Sequence, residues 1–454
     1  MHPARSRFAL SHALAGAFLA GAWEEEALVE RGAQVLSPRP PWLRAVVRSV
    51  LNVHERPPLD APRDLAALIA ATIERLLPTG APVARVVRER TFAPAMGRRR
   101  FGVPELASPA ELAGLLGVSA GTLAWLADVR SLERRAPEER LRNYRYGWIA
   151  RANGASPRVI ERPKARLKAA QRVLLSEVLA CIPAHAAAHG FVPGRSATSH
   201  AALHAGRRVV LRFDVEDFFA AVTAGRVYAT FRAAGYPEAV AHALTGLCTN
   251  VVPQHEWAAV PSVSDAVRER GRPAVLAAVT ARHRLGRRLA TPHLPQGAPT
   301  SPALANLVAH RLDRRLAGLA RSVGATYSRY ADDLVLSGDR ELQRRAPAVR
   351  AAVAAIVAGE GFVLHAGKSE LMHRAGRQRV CGMVVNVAPN VAREEFDRLR
   401  AVLHDAAVNG PAHANRAGLP NFRAHLTGRV AWAASLNPAR GVRLRAQLAA
   451  VDWG

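Results

Sequence analysis

Tyr330-Ala331-Asp332-Asp333 runs directly into the apolar stretch Leu334-Val335-Leu336. Adjacent carboxylates at the join of two β-forming runs predict a hairpin with both acids at its tip. A further acid, Asp214, ends another apolar run, Arg208-Val209-Val210-Leu211-Arg212-Phe213. From about 145 to 220 short apolar runs alternate with Gly- and Pro-containing turns, suggesting mixed strands and helices. Carboxylates delivered from separate strands are what a two-metal phosphoryl-transfer centre requires. Each acid alone reads equally well as a solvated turn; only their combination points to that chemistry.

The rest of the chain supplies the charge such chemistry needs. Its 454 residues carry 63 Lys and Arg against 36 Asp and Glu, a formal net charge of +27. A compositional drift toward arginine exchanges Lys for Arg but does not create that imbalance. Arginine forks match phosphate oxygens, so nucleic acid is the leading partner ahead of membrane or acidic protein. An apolar fraction of 49% argues for a folded chain. Cys181, Cys248 and Cys381 are odd in number, with no CxxC or His-linked spacing. A disulfide framework or zinc site is therefore not expected, and a reducing cytoplasm is. The apolar stretch from Phe8 to Trp23 is broken by Ser11-His12 and runs into Glu24-Glu25-Glu26. Leu10, Leu14, Phe18 and Leu19 fall at helical spacing, which predicts a packed helix rather than a secretory signal or a membrane span.

Ser108-Pro109-Ala110-Glu111 has the form of a capped helix start, with Pro in the first turn and Glu three residues after the cap. Residues 250–292 are polar and Arg-containing without a clear strand, and read as an inserted surface element. Leu294-Pro295-Gln296-Gly297-Ala298-Pro299-Thr300-Ser301-Pro302 predicts a rigid loop ending in a helix capped by Ser301, with Gln296 offering an amide to a base, sugar or backbone. After Pro389-Asn390 the pattern is helical, with a break at Asn437-Pro438.

Taken together these segments resemble a reverse transcriptase, and among those the bacterial retron type. The resemblance covers roughly residues 108–440 and includes Arg158-Val159-Ile160, Ala188-His189-Gly190-Phe191-Val192-Pro193-Gly194-Arg195-Ser196, the Asp214 loop, LPQGAPTSP, YADDL, Gly367-Lys368-Ser369 and Val380-Cys381-Gly382-Met383-Val384-Val385-Asn386. It implies an α+β right-hand polymerase. Residues 1–107 would be an N-terminal helical extension, 108–213 the fingers and start of the palm, 214–388 the palm with its antiparallel sheet and the insertion 250–292, and 389–454 a helical thumb.

By the same resemblance Asp214, Asp332 and Asp333 would be the catalytic acids. With the Val215 carbonyl they would hold two Mg2+ ions. Phe219 would be the gate that rejects a 2′-hydroxyl, beside Asp217 and Phe218. Arg158, Arg151, Gln296 and Lys368 would contact the nucleotide, Lys368 as a candidate acid for pyrophosphate. His200, His204 and Val380-Cys381-Gly382 would contact RNA, although His200 stands where the family carries Asn and Cys381 where it carries Thr. At helical spacing, His200 and His204 also read as simple packing.

The implied partners are a cognate structured noncoding RNA as template and primer, deoxynucleoside triphosphates, an RNA–DNA hybrid product and an effector or toxin protein, with no membrane. The implied product is RNA-linked multicopy single-stranded DNA, and the implied setting is defence against phage. Two other readings stay open: a group II intron-like or diversity-generating reverse transcriptase, and a non-catalytic RNA-binding scaffold. Intact Asp214, Asp332 and Asp333 weigh against the second.

Overall fold

The computed structural model describes residues 3–77, 84–136, 138–149, 157–260, 263 and 265–453. The chain forms two compact units, each from two segments: Met1–Pro183 with Val222–Leu304, and Ala184–Ala221 with Ala305–Gly454.

The first unit opens with helices Pro3–Leu19, Glu25–Val35, Leu43–Val53 and Pro62–Leu76. Their apolar faces enclose one core of Leu10, Leu14, Phe18, Leu28, Val46, Val50, Leu65, Ile69 and Ile73. Each such side chain removed from water contributes about 1.5–3 kcal/mol, which is why the helical spacing of Leu10, Leu14 and Phe18 predicted packing. Among the described residues no single helix is long and apolar enough to cross a membrane. Helix Pro109–Leu115 starts as its sequence dictates: Glu111 N–H donates to Ser108 Oγ at 3.3 Å, and Ala107 N–H to Glu111 Oε2 at 2.8 Å.

Strands β1 (Tyr144–Ile149) and β2 (Arg158–Pro163) pair antiparallel, with Tyr144 opposite Pro163 and Ile149 opposite Arg158. The inserted segment folds as helices Gln254–Ala258, Asp265–Arg268 and Arg272–Leu289. Its two stems are tied by paired backbone bonds, Asn250 N–H to His293 O at 2.9 Å and His293 N–H to Asn250 O at 3.0 Å.

The second unit centres on β3 (Val209–Asp214), β4 (Thr326–Tyr330), β5 (Asp333–Gly338) and β6 (Glu370–His373). They form one antiparallel sheet in the order β4-β5-β3-β6. Strand alternation sorts the side chains: Val210 and Val335 face a cluster with Ala201, Val380, Met383 and Val385. Helices His310–Ser322 and Arg340–Gly359 also pack against the sheet strands. The chain ends in helices Arg393–Val408, Phe422–Leu436 and Pro438–Ala449 around Phe396, Leu399, Leu403, Leu426, Val430 and Leu444. Asn437 caps the last of these through Oδ1, which accepts from Arg440 N–H at 3.1 Å.

Candidate active site

Sheet register brings the predicted acids to one end of the second unit. Asp214 is the last residue of β3 and lies opposite Asp333, the first of β5. Tyr330 of β4 pairs with the same Asp333, so Ala331-Asp332 is the hairpin tip, with Ala331 at φ +55°. Val215 N–H extends the ladder by donating to the Asp332 carbonyl at 2.9 Å.

The electrostatics of the three acids differ. Burial, then the charges of Asp214 and Asp333, push the Asp332 carboxyl above the ordinary range. Burial also raises Asp333, against the opposing pull of Arg212. Arg212 donates to Asp333 Oδ1 through Nε at 3.0 Å and Nη2 at 2.8 Å. Lys368 Nζ spans both oxygens of Asp214, at 2.9 and 3.0 Å. Two acids are thus turned to basic side chains, and Asp332 has none bonded to it among the described residues. Among those residues no three His, Cys, Asp or Glu side chains stand close enough to hold a metal ion. The donor chemistry nevertheless suits a hard divalent cation: all are carboxylate oxygens, and the repulsion that adds to burial in raising Asp332 is what such a cation relieves.

The turn is held from behind. A Cβ on Gly190 would fall 2.7 Å from Ala331 N, so only glycine lets the segment before Phe191 lie against the hairpin. Asn306 Nδ2 donates to Gly190 O at 2.9 Å, and Arg329 Nη1 reaches Asn306 Oδ1 at 3.0 Å and Ala331 O at 3.1 Å. Arg329 is itself gripped by Asp313 at 2.8 and 2.7 Å, both side chains being fully buried. Phe191, Asp217 and Ala331 all have positive φ, at +60°, +49° and +55°. Non-glycine residues hold that conformation only where the surroundings impose it. Sequence reading passed over Asp313, Asn306 and Arg329. Their only local signal was an arginine inside an otherwise strand-forming run.

The remaining predicted residues divide. The half-buried Phe219 ring lies 6.2 Å from Phe191 and 5.9 Å from Phe218, centroid to centroid. Phe218, expected at the nucleotide, is instead a core residue 4% exposed, with the Arg329 guanidinium 5.5 Å and Phe362 5.7 Å from its ring. Asp217 is partly exposed, and its carbonyl accepts from Ala221 N–H at 2.8 Å.

His200 and His204, expected at RNA, offer it no surface: both are fully buried. His204 bonds Ser337 and Ser328 at 2.7 Å each, and Ser328 bonds His200 at 2.8 Å, pinning helix Ala197–Ala202, which carries His200, and the turn after it to β4 and β5. Burial pulls His200 down to about 3, so both rings are neutral struts, as the packing reading held.

Val380 is likewise a core residue with no exposed surface, because its side chain joins the cluster under the sheet. Cys381 and Gly382 form the two-residue turn that follows, at φ +48° and +78°, and Gly382 is exposed. Burial pushes the Cys381 thiol up to about 12. In the first unit, Arg158 is exposed at the start of β2 and Gln296 is partly exposed, its carbonyl accepting Glu161 N–H at 2.9 Å. Ser301 does not cap its helix as expected; its Oγ donates back to Pro295 O at 2.7 Å, within the loop. Arg151 lies outside the described residues.

Residues 151–399 match the reverse transcriptase (RNA-dependent DNA polymerase) family. Over 347 residues the chain is 41% identical to the Retron Mx65 reverse transcriptase of Myxococcus xanthus, covering 76% of this chain and 72% of that one. The chain belongs to the retron-type reverse transcriptases. Among other relatives, the Retron Mx162 reverse transcriptase of Myxococcus xanthus is 35% identical over 78% of this chain and 69% of its own length. The Retron Ec86 reverse transcriptase of Escherichia coli is 28% identical over 67% and 80%. The reverse transcriptase is therefore an RNA-directed DNA polymerase, and its family implies the right-hand polymerase fold, an RNA template and deoxynucleotide substrates. The family generally uses divalent metal ions.

Proposed function

We propose that this reverse transcriptase copies a cognate structured noncoding RNA, which also primes the reaction, into RNA-linked multicopy single-stranded DNA. The register that sets Asp214 opposite Asp333 with Asp332 at the adjoining turn supports the polymerase chemistry, and the retron resemblance supports the RNA and the product. In this reading Asp214 and Asp332 hold two Mg2+ ions with help from the Val215 carbonyl, and Asp333 supports them while bound to Arg212. When bound, the ions supply Lewis-acid charge at the primer hydroxyl and the phosphates. Lys368, which bonds both oxygens of Asp214, is the candidate acid for the leaving pyrophosphate. Phe219 excludes a ribose hydroxyl, and Arg158 and Gln296 contact the nucleotide. The sheet would be the palm, β1 and β2 part of the fingers, and the helices of residues 389–454 the thumb.

With a net charge of +27 and 6% aromatic residues, grip on nucleic acid comes chiefly from phosphates and falls steeply with salt. A cytoplasmic role in phage defence, with an effector protein, is the setting we propose from the retron resemblance. Extension of oligo(dT) on poly(rA) with Mg2+ tests the chemistry. Tight RNA binding without synthesis under any divalent ion would instead establish a scaffold. Sequencing of nucleic acid that copurifies tests the product, and linear DNA with no attached RNA would sink that part.

A further inference from the structure

One buried carboxylate joins the inserted segment to the Gln296 loop. Glu161 lies on β2, three positions after Arg158, with 1% of its side chain exposed. Its two oxygens take one bond from each stem of the insertion: Asn250 Nδ2 donates to Oε2 at 2.7 Å, and His293 Nε2 lies 3.0 Å from Oε1. The other ring nitrogen of His293 lies 2.7 Å from the Thr291 carbonyl, which can only accept. The ring therefore carries a proton on Nδ1 and shares a second with Glu161. Burial alone would lower its basicity, but the facing carboxylate and the Thr291 carbonyl leave it raised.

The main chain of the same residue seats the loop. Glu161 N–H donates to Gln296 O at 2.9 Å, and a Cβ on Gly297, at φ +133°, would fall 2.8 Å from Glu161 O. Asn250 also donates to Tyr146 Oη at 3.0 Å, which brings β1 into the same joint. A buried ion pair adds little net stability over apolar packing, but it tolerates few geometries. Here the geometry it enforces is that of β2, the Gln296 loop and both stems at once.

We propose that Glu161 is a positioning residue, a latch through which the stems of the insertion hold the Gln296 loop and the Arg158 strand in register for the incoming nucleotide. The proposal rests on the reading of Arg158 and Gln296 as nucleotide contacts. Glu161→Gln in the full-length protein keeps the size and removes the charge. On poly(rA)/oligo(dT) it raises KM for dTTP about tenfold with kcat within about threefold, the pattern of lost positioning rather than lost chemistry. Amide hydrogen exchange rises at Glu161, at 293–299 and at 250–253 and nowhere else in the first unit.

In a Gln296→Ala background the same substitution raises KM by clearly less than tenfold, because part of its effect acts through Gln296 and the rest through the Arg158 strand. Unchanged exchange at 294–299 overturns the latch, and so does exchange raised throughout the unit, which marks an ordinary core residue. Fully additive effects on KM overturn the route through Gln296. Gln296→Ala without effect on KM would instead remove the nucleotide reading, and the exchange pattern would still judge the latch.

Discussion

Asp313 and Asp332 are the same residue type in the same unit, and their surroundings are opposite. Asp313 is fully buried and fully answered, by two bonds from Arg329 and one from Tyr327 Oη at 2.8 Å. Asp332 is half-buried beside two further acids, without a bonded cation among the described residues, and its partial burial and then their charges raise its carboxyl. The first arrangement holds a turn in place; the second leaves charge unmet at that turn's tip. A polymerase needs both, because acids that repel one another converge only if something rigid stands behind them.

Breaking the satisfied partner has the largest expected effect. Asp313→Ala leaves Arg329 buried and unpaired and costs about 3–5 kcal/mol of stability. Thermal melting checks this, and a melting temperature within a degree of the parent would refute it. Asp332→Asn sharpens the contrast from the other side: polymerisation falls about 100-fold or more, beyond what loss of a mere supporting partner of a metal ligand costs. Relief of repulsion should raise its melting temperature, so a loss of both activity and stability would erase the distinction. Phe219→Ala, which touches neither acid, should raise ribonucleotide use relative to deoxynucleotide about tenfold. An unchanged ratio removes Phe219 as the gate. The smallest effect belongs to Lys368→Ala. Its pair with Asp214 is 37% exposed on the lysine side and worth at most about 1 kcal/mol. Freed of that competitor, the site should reach half-maximal rate at up to about fivefold less Mg2+, and an unchanged or higher requirement would show that the pair with Asp214 does not compete with the ions.

How far the sequence disclosed this site follows from the range of each interaction. The hairpin at Ala331-Asp332 was legible because its flanking strands carry a local β pattern, and the Ser108 cap because its partners lie within four positions. The packed first helix followed from the period of Leu10, Leu14 and Phe18. Lys368 on Asp214, Arg212 on Asp333 and His293 on Glu161 span 154, 121 and 132 residues, and no local pattern announces which basic residue meets which acid. His200 and His204 show the converse error. Their spacing placed them on one helix face, but spacing does not say whether that face meets solvent or a sheet, and here it meets Ser328 and Ser337.

Because Asp214 and Asp333 are cross-strand neighbours, the distance between their backbones is dictated by the ladder and moves only in whole steps. An insertion of one residue in either strand would swing an acid to the opposite side rather than nudge it. Evolution, or an engineer seeking a different ion preference, can vary side-chain length at these places but has no graded way to widen the gap.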